Sequence, residues 1–412
     1  MESNDILILD ARLWRVEDDV LAPRPEPLRI RDGRIHAIGP SALESAGGAD
    51  VIRLPGRCLI PGLIDAHVHL ELDPRLRTPR EQLAVPEVER ERAMRARARS
   101  MLAKGITTAR DCGGGAHREH ALRGEIDAGR AVGPRLLCCG QPVTTPDGHC
   151  AFWGGVASTP DQIERVVDRQ LEAGSDWIKV MATGGVFTPG SRPRDLQFDE
   201  AGLARVVECA ARGGRKVAAH CHGTAGIAAA LRAGVATIEH ASFAGGGGFG
   251  TDLDDGVIDA IAASSAWVSP TVNAGWLGRM RDEAGEPTAF FARMARCLSR
   301  QRERGVRMVA STDAGIPGVF HDDLAAGLAA FQAYASMRPV DVLRAATAFA
   351  AEALGLGTET GRVEPGLSAD LVVVRGDPTL DLDPLRAPEA VLFRGRWLEV
   401  AGVGPVGGGP AD

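Results

Sequence analysis

The sequence predicts an α/β fold in which a (β/α)8 TIM-like barrel carries a small β-sandwich domain built from both ends of the chain. Short apolar runs typical of strands alternate eight times with longer helical patterns through the middle of the chain. The first of these runs is not followed by the Gly-rich turn of an open nucleotide-binding sheet. Shorter alternating runs flank this central segment on both sides. Together these observations favour a barrel over an open doubly wound sheet.

Length and composition are those of a large globular protein. The 412 residues suffice for a barrel with a smaller companion domain, and the 44% hydrophobic and 25% charged content is ordinary. Aromatic residues make up only 4%, and no basic stripe is interleaved with them, so no nucleic-acid partner is expected. No apolar run has membrane-spanning length, and the eight cysteines show no CxxC spacing. A cytoplasmic protein without a membrane partner is predicted.

Turn-punctuated alternating runs define the domain organisation. Residues 1–58 and 360–400 are predicted to form the small β-sandwich domain, and residues 59–359 the metal-dependent catalytic barrel. Residues 401–412 are rich in Gly and Pro and are predicted to be a disordered tail.

The barrel elements follow in order. Strands are predicted at 60–68, 106–112, 135–140, 177–182, 216–221, 236–241, 266–272 and 307–313. Helices are predicted at 87–103, 159–173, 198–212, 223–232, 254–264, 287–304, 322–334 and 339–353. Active sites of such barrels lie at the C-terminal ends of the strands, so polar residues there are the candidates for chemistry.

The first barrel strand ends in two histidines, within the stretch LIPGLIDAHVHLEL. His67 and His69 are two residues apart, so on an extended strand both imidazoles face the same way and can meet one metal ion. A polar, solvent-facing pair explains the spacing equally well. The other strands must decide between these interpretations.

Further candidate ligands fall at the same end of other predicted strands. His220 ends the fifth strand, His240 the sixth and Asp313 the eighth. Taken singly, His240 could be a core histidine and Asp313 a helix N-cap. Independent packing residues have no reason to choose one end of a barrel, so the joint pattern favours a metal site.

Lys179 lies within the fourth predicted strand, between Ile178 and Val180. Burying an ammonium group there is costly without a partner, and desolvation favours the neutral amine. A neutral amine can add carbon dioxide to form a carbamate, which can bridge two cations. The alternative is an ion pair with a nearby carboxylate such as Asp313.

Six strings in fixed order carry a family resemblance: PGLIDAHVHL, TTARDCGG, IKVMATGG, KVAAHCHG, ATIEHAS and ASTDAG. Across about residues 5 to 400 the chain resembles the metal-dependent amidohydrolase superfamily, in its imidazolonepropionase-like and prolidase-like (Xaa-Pro or Xaa-Arg dipeptidase) branch. The resemblance implies a binuclear hydrolase that cleaves an amide or peptide C–N bond by attack of a metal-bridging hydroxide. It implies two divalent metal ions, with zinc favoured and manganese or cobalt as alternatives.

The resemblance also implies residue roles. His67, His69 and Asp313 would hold the first metal ion, and His220 and His240 the second. Lys179, carboxylated by carbon dioxide, would bridge them. Asp313 would in addition shuttle the proton from the hydroxide to the leaving amine.

Three residues are candidates for contact with substrate. His149, in TTPDGHC, resembles the family's loop histidine after the third strand, which would contact substrate or the tetrahedral oxyanion; a surface-loop histidine is the alternative. His222 stands where the dipeptidase branch commonly has a tyrosine that helps to bind the substrate carboxylate. Arg192, in the loop after the fourth strand, could clamp a carboxylate, with solvent exposure as the alternative.

The substrate expected on this resemblance is a small peptide or an N-acyl amino acid. One alternative is a biosynthetic amidohydrolase that trims a modified peptide natural product. A second is a mononuclear deaminase, a branch that lacks the bridging lysine and typically adds a glutamate beside the fifth-strand histidine. A third is a non-catalytic barrel scaffold, which would lose metal ligands. A homo-oligomer is compatible with the sequence.

Overall fold

The computed structural model describes residues 5–44 and 47–398. The strands in this part are β1 (Asp5–Leu9), β2 (Arg12–Leu13), β3 (Leu28–Arg31), β4 (Arg34–Ile38), β5 (Asp50–Arg53), β6 (Arg57–Pro61), β7 (Leu63–Val68), β8 (Ile106–Asp111), β9 (Arg135–Cys138), β10 (Trp177–Met181), β11 (Lys216–Cys221), β12 (Thr237–His240), β13 (Trp267–Ser269), β14 (Leu371–Arg375), β15 (Ala390–Phe393) and β16 (Arg396–Leu398). The α-helices are α1 (Pro79–Ala84), α2 (Glu87–Ala103), α3 (Arg118–Asp127), α4 (Pro160–Glu172), α5 (Glu200–Arg212), α6 (Thr224–Ala233), α7 (Asp255–Ala263), α8 (Ala289–Glu303), α9 (Leu324–Ala335), α10 (Pro339–Ala345) and α11 (Ala348–Leu354). None of the helices described is both long and apolar enough to cross a lipid bilayer.

Two parallel sheets form the wall of the barrel. Strands β7, β8 and β9 pair in one sheet, and β10 to β13 pair in the other. Backbone hydrogen bonds join the two sheets where the chain leaves β9: the N–H of Val143 donates to the carbonyl of Lys179 at 2.8 Å, and the N–H of Met181 donates to the carbonyl of Val143 at 2.9 Å. The two sheets are therefore continuous on this side.

Segment 307–314 closes the other side. The N–H of Val268 in β13 donates to the carbonyl of Arg307 at 2.8 Å, and the N–H of Ala66 in β7 donates to the carbonyl of Ala310 at 3.2 Å. Eight segments thus form a ring, and the predicted (β/α)8 barrel is confirmed. The predicted strand at 307–313 is not a regular strand, because its backbone turns into the left-handed region at Asp313, where φ is 62°.

The helices of the barrel follow from capping residues and from apolar spacing. In α4, Pro160 occupies the first turn, and the Thr159 side chain accepts a hydrogen bond from the Gln162 N–H. Ile163 and Val167, four residues apart, are buried against the barrel. Helix α2 spans the predicted residues 87–103 without a side-chain N-cap; its first turn is acidic, and Met94, Ala98 and Met101 are buried on one face.

Strands from both ends of the chain build the small β-sandwich. One sheet has the order β4-β3-β1-β5 and the other β16-β15-β14-β6-β2, in which β14 pairs antiparallel with β6. Ile8, Ile30, Leu59, Val373 and Leu392 belong to one buried apolar cluster that the two sheets share. The predicted sandwich is confirmed, while the division of the chain at 58 and 360 stays a prediction. The predicted tail at 401–412 lies outside the described residues.

Two predicted elements are each divided in the structure. The strand predicted at 60–68 is β6 followed by β7, and the break falls at Gly62, where any Cβ would overlap the Thr107 side chain. The helix predicted at 339–353 is α10 followed by α11. Neither break changes the path of the barrel wall.

Candidate active site

A cavity of about 550 Å³ opens at the C-terminal ends of the barrel strands. It is lined by eight of the predicted site residues, namely His67, His69, His149, Lys179, His220, His222, His240 and Asp313. Arg192 is not brought to this cavity: its side chain is 65% exposed and pairs with Asp195 at 2.6 Å. That position agrees with the solvent-exposed alternative.

The first group of converging side chains consists of His67, His69 and Asp313. The two Nε2 atoms lie 3.3 Å apart, and Asp313 Oδ1 lies 3.3 Å from each. Nδ1 of His67 is 2.8 Å from a Glu239 carboxylate oxygen, and Nδ1 of His69 is 2.7 Å from the Gly113 carbonyl, so each Nδ1 carries the proton. The two Nε2 atoms and one carboxylate oxygen therefore face a single point, an arrangement that either a proton or a metal ion between them stabilises.

The electrostatics of this group favour a positive charge. Burial lowers the pKa of His67, but the Cys112 sulfur and the Asp313 carboxylate outweigh it and raise that pKa to about 9. Burial raises the pKa of Asp313, but His67 and His69 outweigh it and hold that pKa below its usual range. A proton or a metal ion would supply the positive charge. Two imidazoles and one carboxylate fit a divalent transition metal.

The second group is the pair His220 and His240. Nδ1 of His220 lies 2.8 Å from Nε2 of His240. Nε2 of His220 lies 3.1 Å from the carbonyl of Gly184 and donates to it, while Nδ1 of His240 lies 2.8 Å from the Thr271 hydroxyl. Burial lowers the pKa of both rings well below the usual value, so both are neutral. The facing nitrogens can share a proton or a cation.

Lys179 on β10 is fully buried beside the first group. Its Nζ lies 3.4 Å from Nε2 of His67. Within the described residues Lys179 has no carboxylate partner within ion-pair distance, so the ion pair with Asp313 is not formed. Lys179 therefore has no direct ion-pair partner, although its charge acts at longer range on the Asp313 and Glu239 carboxylates, whose pKa values it lowers.

The backbone is strained where it presents these side chains. His240, Thr271 and Asp313 have φ values of 70°, 53° and 62°. Thr271 is β-branched, and such residues rarely adopt this left-handed conformation. Strained backbone of this kind concentrates at functional sites, where surrounding structure holds it in place.

His149 presents a neutral N–H to the cavity. The N–H of Cys150 donates to the Thr188 hydroxyl oxygen at 3.0 Å, and that hydroxyl lies 3.0 Å from Nδ1 of His149. When this hydroxyl donates its proton to Nδ1, the ring proton of His149 lies on Nε2. Burial lowers the pKa of His149 to about 4. The ring packs so closely on Gly185 that a Cβ there would come within 2.5 Å of it.

His222 is held beside the second group by stacking. Its ring stacks on His240 at 4.4 Å and on Phe249 at 4.8 Å between centroids. Nδ1 of His222 lies 2.8 Å from the Ser242 hydroxyl. Burial lowers the pKa of His222 to about 3, so the ring is neutral where it lines the cavity.

The structure adds site residues that were not predicted from the sequence. Glu239, fully buried, bonds to His67 and pairs with Arg110 at 2.7 Å. The remaining additions to the cavity wall include Arg77, Trp153, Phe187, Phe249, Trp276 and Arg279. The sequence could have indicated Glu239 as a site residue, since it directly precedes His240 in ATIEHAS. The others lie outside the strands, in segments whose path the sequence pattern does not define.

Comparison with known proteins places this site in a family. The model of the amidohydrolase family matches residues 58–398. The chain therefore belongs to the amidohydrolase family, whose members are generally metal-dependent. This confirms the predicted relationship, including the branch that contains imidazolonepropionase.

Individual relatives agree with this assignment. The chain is 27% identical to ochratoxinase of Aspergillus niger over 380 residues, covering 85% of this chain and 77% of that protein. It is 28% identical to imidazolonepropionase of Chloroflexus aggregans over 395 residues, covering 84% and 86%. A crystal structure of a Xaa-Pro dipeptidase with bound methionine has the same fold, with a TM-score of 0.85, 24% identity and coverage of 96% and 100%. The protein is a hydrolase that acts on C–N bonds.

Proposed function

We propose that this hydrolase is a binuclear metal enzyme that cleaves an amide or peptide C–N bond in a small peptide or an N-acyl amino acid. The observation that carries this proposal is the convergence of imidazole nitrogens at two adjacent points. One point is faced by His67, His69 and Asp313, and the other by His220 and His240. Each fits one divalent metal ion, with zinc favoured by the ligand types and manganese or cobalt as alternatives.

Lys179 is proposed to join the two ions as a carbamate. Once deprotonated, Nζ would add to the carbon of carbon dioxide, forming an N–C bond and releasing one proton. The product is an anion with two oxygens, which removes the cost of a buried unpaired ammonium. The location of Nζ, 3.4 Å from Nε2 of His67, supports this role.

Bound metal ions would lower the pKa of water and polarise the scissile carbonyl. Asp313 is ionised because its pKa is held below the usual range, so its carboxylate can accept the proton of the attacking water. It can then deliver that proton to the leaving nitrogen. His149 donates from Nε2 to the oxygen that becomes negative during attack, and as a neutral ring it does so without a change of charge. His222 contacts the substrate from beside His240.

Metal analysis and a substrate screen test the proposal. The chain, produced in metal-replete medium, is expected to bind two transition-metal ions, and Lys179→Ala to bind fewer. A mass-spectrometric screen of dipeptides, N-acyl amino acids and larger peptides is expected to show hydrolysis that a chelator abolishes. Asp313→Asn serves as the inactive control. Wild-type protein without bound transition metal would refute the proposal.

The same measurements distinguish the alternatives. A mononuclear deaminase would bind one ion and release ammonia from heterocycles; the buried Lys179 beside His67 speaks against it. Cleavage restricted to the larger peptides would favour trimming of a modified peptide product. The intact set of ligands, together with the family, argues against a non-catalytic scaffold. A homo-oligomer and a cytoplasmic location stay predictions.

A further inference from the structure

The cavity wall carries an arginine that its own protein does not neutralise. Arg279 ends the short 3-10 helix Ala274–Arg279, which follows β13, and it lines the cavity. Its guanidinium carbon lies 3.5 Å from the centre of the Phe290 ring. In the described part of the chain it forms no ion pair. A guanidinium stacked on an aromatic face keeps its N–H edge available for an anion.

The segment that carries Arg279 is anchored rather than loose. The Trp276 ring packs edge-on against Phe290 at 5.1 Å and against Tyr334 at 4.9 Å. The Tyr334 hydroxyl donates to the carbonyl of Trp276 at 3.0 Å. The backbone that carries Arg279 is therefore anchored, and the exposed Arg279 side chain itself is positioned by its contact with Phe290.

Two other arginines are weaker candidates for the same task. Arg77 also lines the cavity, but Glu81 accepts a hydrogen bond from the Arg77 backbone N–H at 2.7 Å, and the Arg77 charge contributes to lowering the Glu81 pKa. Glu81 thus partly neutralises Arg77. Arg192 is neutralised by Asp195, away from the cavity. The structure favours Arg279 over both.

The rest of the wall indicates what the anion is attached to. Asp313 is the single carboxylate among the described residues that line the cavity. The same cavity is also lined by four aromatic side chains, those of Trp153, Phe187, Phe249 and Trp276. Aromatic walls with a few polar groups bind ligands that have one large apolar part and one polar anchor.

We infer that Arg279 binds the free carboxylate of the substrate and that the substrates are N-acyl amino acids with an aromatic group. The inference rests on the proposed function and narrows it. The guanidinium would make two parallel hydrogen bonds to the carboxylate, and the aromatic group would lie against the ring-lined wall. A substrate in which a neutral carboxamide replaces the carboxylate loses this anchor and keeps the scissile bond.

The test compares N-benzoyl-L-phenylalanine with N-benzoyl-L-phenylalaninamide on the metal-loaded enzyme, with release of benzoate as the measurement. The wild type is expected to prefer the carboxylate. Arg279→Ala is expected to raise KM for the carboxylate about tenfold or more, with kcat retained and the carboxamide unaffected. Arg279→Lys is expected to recover part of the loss. Arg77→Ala and Arg192→Ala are matched controls, and thermal melting verifies the fold of each variant.

Several results would overturn the inference. Equal losses on both compounds in Arg279→Ala, or a carboxylate-specific loss in Arg77→Ala instead, remove Arg279 from the role. Wild-type enzyme that cleaves other amides but not N-benzoyl-L-phenylalanine refutes the substrate class and leaves the proposed function standing. Wild-type enzyme that cleaves none of the peptides and N-acyl amino acids refutes the proposed function and this inference with it.

Discussion

Two carboxylates at opposite ends of the barrel, the buried Asp370 and the partly buried Asp313, have different surroundings. Asp370, where the small sandwich meets the barrel, accepts hydrogen bonds from the Arg135 guanidinium at 2.7 Å, from the Ser368 and Thr360 hydroxyls at 2.9 Å each, and from the Arg394 N–H at 2.9 Å. Asp313, at the other end, instead faces the Nε2 atoms of two histidines. The first carboxylate is satisfied by its own chain, and the second is not.

This difference separates a structural site from a functional one. A buried charge that the chain fully satisfies stabilises one geometry and leaves nothing for a ligand. A buried charge aimed at other acceptors is costly until something positive arrives. The strained backbone of Asp313 belongs with this second case, because the chain holds an unfavourable conformation only where surrounding structure imposes it.

The largest expected effect is that of Asp313→Asn. Asparagine keeps the shape of the side chain but cannot accept the proton of the attacking water, so kcat should fall about a thousandfold. The melting temperature should change little, because Asp313 does not hold the fold together. Steady-state kinetics and circular dichroism on the same samples check both parts. Wild-type turnover by this variant would remove Asp313 from proton transfer.

The matched change at the other end, Asp370→Asn, should act on stability alone. It removes the closer of the two carboxylates that pair with Arg135 and leaves Glu359 at 3.7 Å, which should cost about 2 kcal/mol of unfolding free energy. At a temperature where the variant is folded, kcat should equal that of the wild type. Urea unfolding and kinetics measure the two quantities. If Asp370→Asn lowers kcat without lowering stability, Asp370 is not the purely structural carboxylate that the comparison with Asp313 makes it.

Glu239→Gln should weaken metal binding and also lower the melting temperature, because it leaves the fully buried Arg110 without the carboxylate that pairs with it at 2.7 Å. Glu239 fixes the ring of His67 through Nδ1, and loss of such a partner typically lowers metal affinity about 10–100-fold. The metal concentration for half-maximal activity should rise accordingly, with activity recovered at excess metal.

Glu71→Gln is the matched control for Glu239→Gln. Glu71 is also a buried glutamate, and it pairs with Arg90 at 2.8 Å and with Arg118 at 3.2 Å, but it does not contact the histidines named above. Its loss should lower the melting temperature and leave the metal dependence unchanged. Equal shifts of metal dependence in both variants would mean that Glu239 acts only through stability.

The smallest effect concerns Asp5 in the sandwich. A hydrogen bond from Arg29 lowers the pKa of Asp5 from 3.8 to about 2, against the opposing effect of burial. Since the folded-state pKa is the lower one, the stabilisation is complete above pH 3.8 and is lost as the pH falls through about 2. The melting temperature of the wild type should exceed that of Asp5→Asn above pH 3.8, and the difference should vanish near pH 2. If the two melting temperatures still differ near pH 2, the hydrogen bond from Arg29 to ionised Asp5 is not the origin of the stabilisation.

The sequence predicts which residues reach the site wherever strand periodicity fixes the direction of their side chains. His67 and His69 face one way because they are two apart on a strand; His220 and His240 lie at predicted strand ends, and Lys179 lies within a predicted strand. The structure brings these residues to one cavity. The contact of Arg192 with substrate could not be settled in the same way, because the direction of a loop side chain depends on tertiary contacts.

By itself the sequence determined the barrel, the sandwich and the kinds of side chain that meet at the cavity, since strand and helix periods are local properties. Only the tertiary structure decided that Asp313 faces nitrogens while Asp370 is fully satisfied, and that Glu239 holds His67. Only the tertiary structure brought Arg279 to the cavity wall. Such pairings join residues far apart in the chain, and they depend on how the loops pack after the barrel has closed.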